Sequence, residues 1–81
     1  MATKYINLPA HSGWVEASTA GDWLVQNVAG ASLHVTVQAS APSATDPFHD
    51  LRRGEGVAKV GTGNVYVRNP ESYSVEVPVT E

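Results

Sequence analysis

The chain has no cysteine, which rules out disulfides and with them the CxxC redox and cysteine-based zinc motifs. Charge is scarce. Asp, Glu, Lys and Arg make up 16% of the residues, against about 25% in an ordinary globular protein. The balance is acidic, with a formal net charge of -3, which argues against a surface built for nucleic-acid phosphates. No apolar run approaches the ~20 residues that span a bilayer, and no apolar segment follows Lys4, so neither a membrane span nor a secretory signal peptide is expected. The missing cysteine suits a protein made in the cytoplasm. Convincing helical periodicity is missing too, as are internal repeats, low-complexity tracts and linkers. At 81 residues the chain reads as one small domain. Such a domain buries only about 60–65% of the surface its unfolded chain exposes. A catalytic pocket with its supporting shell needs more chain than this, so neither an enzyme nor a cofactor is expected.

What the sequence does have is valine, its most frequent residue. β-branched and aromatic residues favour pleated, half-buried surfaces. Leu33-His34-Val35-Thr36-Val37-Gln38-Ala39 alternates strictly between apolar and polar, the period-2 mark of a strand with one face on a core. Tyr73 to Val79 alternates likewise, with Tyr73, Val75, Val77 and Val79 expected inward and Ser74, Glu76 and Pro78 outward. Pro78 lacks an N–H, so this last strand is expected to end at, or lie on, a sheet edge. Asn64–Arg68, Val57–Val60, Trp23–Val28 and Gly13–Ala17 read as further strands, with Lys4–Leu8 a short addition. Gly61-Thr62-Gly63 is expected to turn a hairpin between the strands on either side of it.

The stretch from Ser40 to Gly56 differs. Ala41 to Pro47 is turn-rich and reads as a surface loop. Two readings of residues 48–53 compete. One is a very short helix with Asp46 as its cap, Pro47 at its first position and Gly54 just past its end. The preferred one is extended, with Phe48 and Leu51 dipping into the core, because every neighbouring segment is strand. The fold expected is all-β, a small antiparallel β-sandwich or jelly-roll-like barrel of about six to seven short strands.

Chemistry is sparse. His11, His34 and His49 share no spacing of a local metal pair. His49 stands beside Asp46 and Asp50, but loop carboxylates ordinarily cap turns. No serine sits in a nucleophile-elbow context, and Gly61-Thr62-Gly63 lacks the further glycine of a dinucleotide loop. No catalytic, cofactor or metal residue is therefore named. Among the six aromatics, Trp23 and Tyr73 share parity with the valines of their strands and are expected in the core. Tyr66 opposes the parity of Val65 and Val67, so either it or the two valines face outward, and an exposed Tyr66 beside Arg68 suits an interface anchor. Interfaces are depleted in Lys, Glu and Asp, so the outward residues His34, Thr36 and Gln38, with Tyr66, Arg68 and the basic pair Arg52-Arg53, are candidate contact residues. Trp14 and Tyr66 are the rings best placed in sequence to stack on a sugar.

The run Trp23-Leu24-Val25-Gln26-Asn27, the loop Ala41-Pro42, the turn Leu51-Arg52-Arg53-Gly54-Glu55 and the segment Gly61-Thr62-Gly63-Asn64-Val65-Tyr66-Val67-Arg68 follow one another in a particular order. In that order they resemble the small β-sandwich virion proteins of tailed bacteriophages, over residues 22–79. The resemblance implies a non-enzymatic part of a phage particle, a capsid decoration protein or a tail- or fibre-associated one, often assembled as a homotrimer. It implies a larger virion protein as scaffold partner and the virion as location, while the charge and the lack of a long apolar run leave nucleic acid and membrane unexpected as partners. It carries no catalytic residues. Residues 1–21 fall outside it, and within the single domain 1–81 they are expected as a partly extended N-terminal arm. The alternative expectation is a carbohydrate-binding module for host-surface glycans.

Overall fold

Alternation of valine with polar residues decides which faces close on each other. In the computed structural model, which describes residues 2–19, 22–59 (backbone only at Lys59) and 64–81, eight strands are found among the described residues. They are β1 (Thr3–Leu8), β2 (Val15–Ser18), β3 (Trp23–Gln26), β4 (Ser32–Gln38), β5 (His49–Arg52), β6 (Gly56–Lys59), β7 (Asn64–Arg68) and β8 (Val75–Thr80). They form two four-stranded antiparallel sheets, β1-β8-β3-β6 and β2-β7-β4-β5. Strand one pairs with eight, two with seven, three with six and four with five. That nested pairing is the order of a jelly roll, in which two sheets close over one core.

Between the sheets lie Leu8, Ala17, Trp23, Val25, Leu33, Val35, Leu51, Val65, Val67, Val75, Val77 and Val79. Burying an aliphatic side chain is worth about 1.5–3 kcal/mol, so this layer is the main source of stability. Trp23 lies in the core as its parity requires. Residues 48–53 are extended rather than helical: they supply β5, and Leu51 reaches the core. Phe48, by contrast, is 41% exposed.

The sheet assignment corrects several expectations. The Gly61-Thr62-Gly63 turn itself lies outside the described residues, but the strands it joins, β6 and β7, belong to different sheets, so they form no hairpin. Strand β8 is not an edge: it sits between β1 and β3. Its ladder with β3 stops at Val25↔Val79, just short of Pro78, which has no N–H to donate. Pro78 is buried rather than solvated, set opposite Tyr5 on β1. Tyr73 is 45% exposed, because β8 begins only at Val75 and the alternation does not extend back to it. Residues 1–21 carry β1 and β2, which pair with β8 and β7 of the same chain, and Leu8 is fully buried.

Candidate functional site

Among the described residues, the densest meeting of aromatic and charged side chains is on the outer face of the sheet β2-β7-β4-β5. Cross-strand register places it: His34 lies opposite Arg68, Thr36 opposite Tyr66 and Gln38 opposite Asn64. Valines 65 and 67 point inward, so Tyr66 and Arg68 must point outward. Five of the candidate contact residues, His34, Thr36, Gln38, Tyr66 and Arg68, therefore do share one face. That face is largely closed by the molecule itself. The stretch 39–48 between β4 and β5 folds back over it, and Trp14 arrives from the β1–β2 loop.

Arg68 is the centre of the closure. Its guanidinium carbon lies 4.2 Å from the centre of the Trp14 ring and 4.9 Å from that of Phe48, a cation held against two π faces. Its Nε donates to His34 Nδ1 at 3.0 Å and its Nη1 to the Ala44 carbonyl at 3.1 Å. His34 stacks on Phe48 with ring centres 3.8 Å apart, and Phe48 meets Trp14 edge-on at 6.3 Å. Trp14 Nε1 donates to the Ser43 carbonyl. Gln38 Nε2 donates to Asp46 Oδ2, and Asp46 also accepts from the Ser43 amide and hydroxyl. Burial and then the neighbouring Arg68 charge hold the His34 pKa below its ordinary 6.5. The Ser43 hydrogen bonds, with that of Gln38, hold Asp46 below the usual carboxylate range.

This closure corrects two of the expected site residues. Tyr66 and Thr36 are each only 6% exposed, so neither presents a free surface. Tyr66 instead donates its hydroxyl to Glu16 Oε2. With Tyr66 covered, Trp14 and Tyr66 do not make a paired stacking platform, and the half-buried Trp14 already carries Arg68 on its ring. Arg52 is exposed and pairs with Asp50 on its own strand at 3.5 Å. Arg53 lies off this face and donates to the Ala29 carbonyl. Among the described residues no three His, Asp or Glu side chains gather as a metal site. Asp46 caps its turn, and Asp50 accepts from Ser32 and pairs with Arg52.

The sequence reading missed Phe48 as a lid residue. The length of the 39–48 connection was the available signal, since a stretch that long joining neighbouring strands must lie on something. It also missed two buried asparagines that hold the loops at one end of the sandwich. Asn27 donates to the Leu51 carbonyl and accepts from the Gly30 amide, while its own backbone bonds Glu55 and Gly54. Asn69, fully buried, donates among the Leu8, Pro9 and Tyr73 carbonyls and accepts from the Glu71 amide. Each stands just past a strand end, where an asparagine side chain readily replaces a ladder partner. Gly54 completes the Asn27 knot at φ 90°, a conformation that L side chains rarely adopt.

No protein-family model matches the chain, and no match is found among curated proteins.

Proposed function

We propose that the chain is a non-enzymatic structural protein of a tailed-bacteriophage particle. It is a capsid decoration or a tail- or fibre-associated component, and it works by contact with copies of itself and with a larger virion protein. The supporting observation is a set of large apolar side chains left outside a finished interior: Tyr5 at 67% exposure, Val28 at 54%, Tyr73 at 45%, Phe48 at 41% and Val37 at 37%. Among the described residues, no buried side-chain nitrogen or oxygen lacks a partner, so the interior is already satisfied and what remains is outward-looking. Two further considerations agree. Jelly rolls serve as viral capsid and lectin domains, an argument by analogy of fold. The carboxylates beside His49 are occupied in turns and ion pairs rather than converging on a substrate. The resemblance over residues 22–79 supplies the phage setting, the trimer and the virion location.

The test is mass spectrometry and immunogold microscopy of density-purified particles of the phage that encodes the chain. The expected result is a fixed copy number per particle. Recovery only in the soluble fraction of the lysate overturns the reading.

A further inference from the structure

We propose that the outer face of the sheet β1-β8-β3-β6 is where two copies of the chain meet, face to face about a two-fold axis. This rests on the self-association in the reading above and names its surface. The two sheets are treated differently by the molecule. The outer face of β2-β7-β4-β5 is covered by the chain's own 39–48 stretch, pinned through Arg68, Trp14 and Gln38. Among the described residues, no loop is seen hydrogen-bonded across the other face in the way the 39–48 stretch is.

The outward positions of that sheet, normally polar on a solvated face, here mix Thr3, Asn7, Gln26, Glu76 and Thr80 with the apolar Tyr5, Leu24, Ala58 and Pro78. Register sets Thr80, Leu24 and Ala58 in one row and Tyr5 beside Pro78 in the next. Tyr5 is 67% exposed, Leu24 is half-buried and Ala58 exposed. Among the described residues the one charge on the face is Glu76, toward the end of β8 where Asn7 pairs with it. In a chain of net charge -3, this is the surface that can lie on itself without opposing carboxylates. A two-fold axis running across the strands places the two Glu76 side chains at opposite ends. Sheets pack face to face at about 10 Å, and the small, exposed Ala58 permits that approach while the exposed Tyr5 supplies an aromatic anchor. The size also suffices. The molecule measures 33 × 26 × 17 Å, so a broad face offers on the order of 800 Å², the amount each partner gives to a standard stable interface.

Such a contact is isologous and closes at two copies, whereas the resemblance implies three. Sedimentation equilibrium of the full chain from micromolar to millimolar concentration decides. The expected species is a dimer. Tyr5→Glu and Ala58→Glu each weaken it by at least about 30-fold, while Phe48→Ser on the opposite sheet leaves it unchanged. Ala58 is exposed and outside the core, so its variant keeps the fold, checked by circular dichroism. A monomer throughout the range, a trimer, or a dimer that both substitutions leave intact overturns the proposal. A monomeric chain found on purified particles overturns this surface and spares the particle reading. A dimer broken by both variants, from a chain absent from particles, does the reverse.

Discussion

Asn69 shows how much one side chain can hold. It spans the β1–β2 and β7–β8 loops from a fully buried position. Removing it strands carbonyls away from water, a loss of about 1–3 kcal/mol. Asn69→Ala should therefore lower the melting temperature by roughly 4–8 °C for each kcal/mol lost, and Asn27→Ala should behave alike, both read by thermal denaturation. His34 makes a pH prediction at the same scale. Its folded pKa lies below the ordinary 6.5, so the unfolded chain takes up the proton first. Stability is then complete above about pH 6.5 and declines as the pH falls below it. Asp46 and Glu81 are lowered carboxylates, Glu81 chiefly by the Lys4 hydrogen bond and then that of Ser18. Their contribution is present above their unfolded values and is lost at still lower pH, as the pH falls through the folded ones. Urea midpoints measured from pH 8 to 3 should show both losses. His34→Gln keeps an acceptor for Arg68 but does not titrate, so it should flatten the upper one.

At the scale of elements, the edges of the two sheets are β1, β6, β2 and β5. Three of them are only four residues long, and β5 carries Asp50 and Arg52 outward. Short, charged edges resist pairing with other chains, which leaves the six-residue edge β1 and the sheet faces as surfaces for association. The 39–48 stretch is the weakest covered element, because it is held by ring contacts and single hydrogen bonds rather than by a ladder. A cation–π contact at such a site is worth about 0.5–1 kcal/mol. Arg68→Lys replaces the flat guanidinium with a point charge. It should raise hydrogen exchange and protease cleavage within 39–48 about five-fold, with β7 and β4 unchanged. Equal acceleration throughout the molecule would mean that Arg68 supports the whole fold instead.

At the scale of the whole molecule, the nested pairing makes folding slow. Thr3 and Thr80 meet across 77 residues of sequence, and little is gained from any neighbour-to-neighbour turn except between β4 and β5. Chains dominated by such distant pairings fold in milliseconds to seconds, so stopped-flow refolding should fall in that range rather than in microseconds. Association should also show in the melt. A dimer that binds only the folded chain raises the melting temperature with protein concentration. Wild type should therefore melt higher when concentrated, and Ala58→Glu should not.

Period-2 patterning determined much of this protein from sequence alone: Val75, Val77, Val79, Leu33 and Val35 occupy the interior as their spacing requires, because alternation is a local property of a pleated chain. In β7, parity left open whether Tyr66 or Val65 and Val67 turned inward, and the tertiary structure chose the valines. Which strand lies beside which is not local. The glycine-flanked strands β6 and β7 were legible as strands, yet they part into different sheets, since the one-to-eight nesting gives both a better partner. Pro78 was legible as a ladder break but not as buried, because only β1 and its Tyr5 supply the neighbour. The faces followed the same division. His34 points outward as parity demands, and Tyr66 and Arg68 join it once Val65 and Val67 take the core, but parity is silent about a loop folding back. The tertiary structure alone turned that face into a covered one.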